Sequence, residues 1–499
     1  MTSINTISPE LAEHRLSERD PSHARRWWVL VVLGIAQLMV VLDSTVVNIA
    51  LPSAQRDLGF GNTDRQWVVT AYALAFGSLL LLGGRLADLF GRKRMFMIGL
   101  TGFAAASAVG GAAVNFDMLV TARAVQGVFG ALLAPAALSL LTTTFTDSRE
   151  RGRAFGIYGA IGGGGAAIGL LLGGVLTEYA SWRWCMYVNL AFAALALVGG
   201  ALLLRDRAET VHPKLDIPGI ALVSAGLFSV VYGFSHAETA GWLDSITLAF
   251  LAVGVVLIVA FVIVQTRVQN PVLPLRVVLD RNRGGSYLAI LSLGIGLFGM
   301  FLFLTYYLQG TLGFSAVESG LAFLPMTAGL VITSQLAVNV LARRVGPRYI
   351  IAPGLAISAI GLIMLANLDM NSSYAANVLP ATIIFGLGAG LTFSSATSNA
   401  TARVKAEDAG VASAMVSTGQ QIGGSIGTAL LSTLAASAGT SYLTSHHGPR
   451  VVELATIHSY TTVFGWSAVV IGLSALVTAV ILRGDVPVID ENAVEVPAL

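Results

Sequence analysis

Two side chains of opposite charge lie inside otherwise apolar runs of this chain. Asp43 stands in Leu42-Asp43-Ser44-Thr45-Val46-Val47-Asn48-Ile49-Ala50-Leu51-Pro52, and Arg123 in Leu119-Val120-Thr121-Ala122-Arg123-Ala124-Val125-Gln126-Gly127. An ionisable group in such surroundings is costly and turns toward a polar interior or a partner. A buried carboxylate is also a proton carrier. Desolvation favours the neutral acid, a nearby guanidinium favours the carboxylate, and a change in their separation moves the proton on or off. Asp43 and Arg123 therefore read as a proton-exchanging pair. Other roles stay open: a structural acid bonded to a neighbouring helix for Asp43, and snorkelling for Arg123, which lies about 7–8 Å of helix rise from the end of its run. Asn48 and Gln126 extend the polar neighbourhood and are expected at a cavity or a helix contact.

A second charged group occupies Gly84-Arg85-Leu86-Ala87-Asp88-Leu89-Phe90-Gly91-Arg92-Lys93-Arg94, a turn between two long apolar runs. Asp88 meets the negative end of a helix dipole, so something must stabilise it. Arg92, four residues on, is the near partner, while Gly84 and Gly91 allow close approach and a tight turn. With Arg94 these residues form either a salt-bridged latch that gates access or a solvated basic turn. A weaker copy, Leu341-Ala342-Arg343-Arg344-Val345-Gly346-Pro347-Arg348, joins two later apolar runs, so one half of the chain echoes the other.

Gly165, Gly169 and Gly173 share one helix face and let a second helix approach closely. Gly419-Gln420-Gln421-Ile422-Gly423-Gly424-Ser425-Ile426-Gly427 repeats the theme, with Gln420 and Gln421 polar enough to face a cavity. Static packing and a rocking seam both fit these glycines. Gly423 to Gly427 also fits the nucleophile-elbow pattern and Gly294 to Gly299 the dinucleotide pattern, but neither follows a strand, so both read as helix packing. The chain has no phosphate-binding loop and no His-Glu-x-x-His metal motif, which removes support for ATP-driven pumping and zinc proteolysis. No metal or cofactor is expected.

The elements that must position these residues are membrane helices. The 499 residues are 55% hydrophobic and only 11% charged, against about 25% charged in soluble domains. Fourteen apolar runs approach the roughly 20 residues needed to cross a bilayer: 28–52, 66–88, 95–114, 118–141, 155–177, 184–204, 217–235, 246–265, 284–308, 319–341, 350–368, 378–400, 409–436 and 459–482. Runs this long exclude barrel strands, so an all-α integral membrane bundle is expected. A net charge of +2, spread over short loops, makes nucleic acid an unlikely ligand. The single Cys185 forms no intramolecular disulfide.

With the N-terminus inside, the basic clusters at Arg92–Arg94, Arg149/Arg151/Arg153, Arg205/Arg207/Lys214, Arg267–Arg283, Arg343/Arg344/Arg348 and Arg403/Lys405 all become cytoplasmic. Both termini are then expected inside, on a multi-pass protein of the cytoplasmic membrane. Residues 1–26 lack the apolar core of a signal peptide and read as a cytoplasmic tail, as do the acidic residues 483–499. Between the tails the echo implies a six-helix bundle over 27–204, a linker with two extra spans over 205–283, and a second six-helix bundle over 284–482. Paired bundles of this kind are a transporter plan, with the site at their interface.

These residues resemble the major facilitator superfamily, and within it the fourteen-span drug:proton antiporters. Gly84 to Arg94 is similar to the superfamily's loop motif, Leu42 to Pro52 to the branch's span-1 motif, and Arg123 to Gly127 to its span-4 motif. Trp182-Arg183-Trp184, Tyr307-Leu308-Gln309, Gly320 to Pro325 and Gly410 to Gly427 match further. One departure is Leu170, where the antiporter span-5 motif carries proline; its kink is lost. The resemblance implies proton-driven efflux of amphipathic compounds such as antibiotics, with Asp43 and Arg123 coupling, Asp88 and Arg92 gating, and Gln309 among the cavity or packing residues. The expected protein is a monomer in the bilayer whose partners are protons and an amphipathic small molecule, not an enzyme. Asp43 is nearly the only clear acid within the spans, which favours neutral or weakly charged substrates over dications. A proton symporter importing a nutrient is the alternative within transport, and a transport-inactive sensor or scaffold is the alternative outside it.

Overall fold

The computed structural model describes residues 21–484 except 62–63, 66, 146–147, 205–215, 270, 403 and 405–408. Fourteen long helices run through it. They are α1 (Pro21–Leu58), α2 (Trp67–Phe90), α3 (Arg92–Gly111), α4 (Phe116–Thr144), α5 (Ser148–Tyr179), α6 (Trp184–Leu203), α7 (Ile217–Ala240) and α8 (Ser245–Gln265). After one turn at Leu275–Val278 come α9 (Arg281–Tyr306), prolonged by the π turn Tyr307–Thr311, and α10, in two segments, Ala316–Ala322 and Leu324–Asn339. The last four are α11 (Arg348–Leu365), α12 (Leu379–Thr401), α13 (Ala409–Ser445) and α14 (Val451–Ile481). Among the described residues, 11 helices are long and apolar enough to cross a membrane, and shorter apolar stretches lie in α2 and α5. The 20-residue α3 spends its first turn on Arg92, Lys93 and Arg94.

Side-chain oxygens that satisfy the free backbone N–H groups at the helix starts set several of them. Asn115, Asp216, Asp244 and Asp280 each accept such a bond at the heads of α4, α7, α8 and α9. Basic side chains do the converse at the end of α6, where Lys93 Nζ donates to the Leu204 carbonyl at 2.6 Å and Arg25 Nη2 to that of Leu203 at 3.1 Å. Gly91, at φ 96°, breaks α2 from α3 in a conformation that side chains disfavour.

Glycine faces then fix which helices touch. A Cβ on Gly165, Gly169 or Gly173 would meet Leu38, Thr45 or Val46 of α1 at 3.0, 2.0 and 3.0 Å. A Cβ on Gly423 or Gly427 would meet Leu291 or Ile295 of α9 at 2.2 and 2.7 Å. Span 5 on span 1 and span 13 on span 9 are therefore the same contact made twice, as the internal echo requires. The stripe singled out in the sequence is packing within each bundle. Gly83 of α2, rather than Gly84, makes the closest approach to α4: its added Cβ would lie 2.0 Å from the Ala131 carbonyl oxygen, against 3.5 Å from Pro135 for Gly84.

The two bundles meet along two seams, α2 with α13 and α5 with α10. Contacts between them gather at the end opposite the Arg92–Arg94 turn. Gln309 Nε2 donates to the Ile49 carbonyl at 3.1 Å, and the Val317 N–H donates to Glu178 at 3.0 Å. The Arg65 guanidinium lies 3.2 Å over the Tyr306 ring. Gly174 faces Ala316 and Val317, and Gly320 faces the Leu170 backbone. α7 packs on α2, α8 and α13, with Leu74, Gly77, Leu227, Val231, Ile422 and Ser425 meeting where α2, α7 and α13 converge.

One sequence boundary is corrected. The stretch left between the apolar runs 409–436 and 459–482 is largely helical, since α13 continues to Ser445 and α14 begins at Val451. Backbone hydrogen bonds continue past the apolar runs through the polar residues between them, and Gly448, at φ 151°, makes the turn.

Candidate functional site

Asp43 and Arg123, eighty residues apart in sequence, are in direct contact. Arg123 Nη1 donates to Asp43 Oδ2 at 2.6 Å, with both residues buried at 0% and 1% exposure. That burial excludes snorkelling for Arg123 in this state. The same Nη1 donates to Gln126 Oε1 at 2.7 Å, one turn along α4, while Arg123 Nε donates to the Val68 carbonyl of α2 at 3.1 Å. The guanidinium also lies 4.3 Å over the Tyr72 ring. Nε and Nη1 of this planar cation are thus bonded and one aromatic ring lies against it.

The carboxylate is enclosed as fully. Asp43 Oδ1 accepts from Gln126 Nε2 and from Asn189 Nδ2 of α6, each at 2.7 Å. Both amides also donate to Ser107 Oγ of α3, at 3.3 and 3.0 Å, and Ser107 donates to the Met186 carbonyl at 2.8 Å. Five helices, α1, α2, α3, α4 and α6, thus converge on one buried ion pair. Such a pair is not stabilising in itself, because desolvation offsets attraction; breaking it by removing one partner costs about 3–5 kcal/mol. What the arrangement can do chemically is hold a carboxylate while closed and expose it to a proton when opened.

The remaining candidates are distributed differently. Asn48, 3% exposed, donates to the Ser44 carbonyl at 3.1 Å and its Oδ1 has no partner. Gln309 lies on the α1–α9 contact, and Gln420 and Gln421 are half-buried on α13. Arg92 and Gly84 are half-buried and Arg94 is exposed at the α2–α3 turn. The side chain of Asp88 lies outside the described residues. Arg85, beside it, donates to the Pro271 carbonyl at 3.3 Å and ties the turn to the α8–α9 connection.

Sequence reasoning did not single out Asn189, Ser107 or Tyr72. A lone asparagine within the apolar run of α6 was a usable signal; a serine and a tyrosine in membrane spans were not. At the far end of α1 a separate clasp forms, in which Trp182 Nε1 donates to Asp57 at 2.9 Å and Arg183 pairs with the same carboxylate.

The fold and the chain both have relatives. The Major Facilitator Superfamily model matches residues 33–428. The puromycin resistance protein pur8 of Streptomyces alboniger is 51% identical over 471 residues, covering 94% of this chain and 93% of that protein. The cephamycin export protein CmcT of Amycolatopsis lactamdurans is 38% identical, covering 85% and 89%. The tetracenomycin C resistance and export protein of Streptomyces glaucescens is 34% identical, covering 83% and 76%. Among solved structures, an inward-facing bacterial homolog of the human lysosomal transporter Spinster shares the fold at TM-score 0.63 and 15% identity, covering 92% of this chain and 97% of that one. An all-helical chain of paired bundles, matched over most of its length by the family model and by relatives this similar, belongs to the major facilitator superfamily.

Proposed function

We propose that the protein exports amphipathic antibiotics from the cytoplasm in exchange for protons, by rocking its two bundles between inward and outward access. The observation that carries the reading is the fully buried Asp43, held by Arg123, Gln126 and Asn189 in a bundle that must open to exchange anything with water. A carboxylate bonded only by donors is stable while enclosed and takes a proton once opening weakens those bonds. Relatives named for puromycin resistance, cephamycin export and tetracenomycin C export supply the substrate class, with puromycin the first compound to test.

The contacts at Gln309, Glu178, Gly174 and Gly320 close the end opposite the basic turn. With the basic loops and both termini cytoplasmic, that end is the outer one, and it is closed in this state. The proton gradient drives the cycle without a cofactor, and the working unit is a monomer in the cytoplasmic membrane. The turn at Asp88, Arg92 and Arg94 gates the inner side.

The test uses proteoliposomes with an imposed pH gradient, recording proton movement on addition of puromycin to the wild type and to Asp43→Asn. Substrate-triggered proton release that disappears in Asp43→Asn, with puromycin binding retained, supports antiport coupled at Asp43. Equal release from both proteins removes Asp43 from coupling.

A further inference from the structure

We infer that Asn189 is the protonation-responsive amide of the site, reversing end for end when Asp43 takes a proton. The inference rests on the reading that Asp43 is the coupling acid.

Each group bonded to Asp43 is a donor: Arg123 Nη1 to Oδ2, and Gln126 Nε2 and Asn189 Nδ2 to Oδ1. A carboxylate accepts all three bonds. Transfer of a proton from water converts the carboxylate to COOH and adds a donor that must find an acceptor. Leaving it unpaired in a buried site is expensive.

Gln126 is not free to supply that acceptor. Its Oε1 already accepts from Arg123 Nη1 at 2.7 Å, so reversing its amide would set Nε2 against the guanidinium, donor against donor. Asn189 has no such constraint, because its Oδ1 is buried and makes no hydrogen bond. Reversal brings Oδ1 to the position 2.7 Å from Asp43 Oδ1, where it would repel a carboxylate but accept from an acid. The present orientation therefore belongs to the charged form and the reversed one to the neutral form.

Ser107 completes the change. Its hydroxyl now donates to the Met186 carbonyl and accepts from Asn189 Nδ2 at 3.0 Å. After reversal a rotation of that hydroxyl lets it donate to Asn189 Oδ1. Asn189 Oδ1 then has two bonds where it now has none, at the cost of the two bonds that Nδ2 makes now. The titratable and charged groups around Asp43 are Arg123 of α4, Tyr72 of α2 and Cys185 of α6. Tyr72 meets the Arg123 guanidinium with its ring while its buried hydroxyl has no hydrogen-bond partner, and Cys185 bonds Thr177 and the Gly173 carbonyl.

The experiment is pH-difference infrared spectroscopy of the full chain in lipid, with and without carbonyl-labelled asparagine. The expected result is a labelled side-chain amide band that shifts with the same midpoint as the carboxylic acid band of Asp43. Both changes should vanish in Asp43→Leu, and the amide change alone should vanish in Asn189→Leu. An Asp43 acid band that titrates while no asparagine band follows overturns the inference, and so does a moving asparagine band that survives Asn189→Leu. The wild-type measurement decides the first point even if Asn189→Leu fails to fold. Absence of any acid band sensitive to Asp43→Leu refutes the coupling reading itself, and the inference falls with it by a separately recognisable route.

Discussion

Gly320→Ala should tilt the protein away from the state described above. A Cβ at Gly320 would stand 2.5 Å from the Leu170 carbonyl oxygen, where ordinary contact begins at 3.4 Å, so α5 and α10 must separate by 3.4 − 2.5 = 0.9 Å. The obstructing atom is helix backbone and cannot turn aside as a side-chain tip would. Overpacking of this kind costs about 1–3 kcal/mol. Only the state with the two bundles in contact at this end carries that cost, so the equilibrium toward the opposite state should shift roughly 5–150-fold. The assay is a distance measurement between spin labels at Val114→Cys and Val452→Cys, 77% and 67% exposed on opposite bundles at the closed end. Cys185→Ser removes the single native thiol. Gly320→Ala should enlarge the long-distance population. Gly427→Ala is the control, because its Cβ would meet Ile295 Cα at 2.7 Å within one bundle; it should lower thermal stability without lengthening the distance. An unchanged distance distribution in a folded Gly320→Ala protein, or equal lengthening in both variants, would refute the assignment of this contact as a closing seam.

Two further outcomes are expected. Arg123→Ala leaves the Asp43 charge buried and unpaired and should cost about 3–5 kcal/mol in thermal unfolding; adding Asp43→Asn should recover most of that stability while transport stays lost, whereas a double variant as unstable as Arg123→Ala would contradict the pairing. In the α11–α12 connection, the Ser372 hydroxyl and then the Asn371 N–H hold the exposed Asp369 carboxyl below the usual carboxylate range. A lowered value means stabilisation that is present above the ordinary range and lost as pH falls through the lowered one. Hydrogen-exchange protection over Leu368–Val378 should therefore weaken under acid, and Ser372→Ala should move that weakening to higher pH.

The helical bundle was legible because lipid leaves an apolar run of 20 residues few alternatives. The ion pair was legible for the related reason that a charge in such a run demands a partner, and Asp43 and Arg123 were the charges available. The other members of the network carry no comparable signal. Ser107 and Tyr72 are ordinary in membrane helices, and only their positions on facing helices give them meaning. Asn189 is polar enough to be noticed but not costly enough to require explanation. Glycine spacing identified close-packed faces without saying what they pack on: Gly165, Gly169 and Gly173 meet α1, whereas Gly174, one position on, meets the other bundle. The helical extension of α13 and α14 was hidden because composition beyond the membrane no longer constrains backbone conformation.

The placement of α7 makes the two sides of the molecule unequal. It spans the line where α2 meets α13, bonded to α13 through Thr433 and the Phe234 carbonyl at 2.7 Å and in contact with α2 through the tilted rings of Tyr232 and Trp67, whose centres lie 6.4 Å apart. In a paired-bundle fold without that helix, an oily molecule dissolved in either leaflet would have two lateral doors to the interior. Here one door has a post set across it, so a lipid-borne compound approaching from that side meets the outer face of α7, where Phe228 is 42% exposed, while Leu227 and Val231 on its buried face fill the line between α2 and α13. Entry from the bilayer is left to the flank where α5 faces α10, and a blocker designed to wedge into the membrane-facing surface has one flank to aim for instead of two.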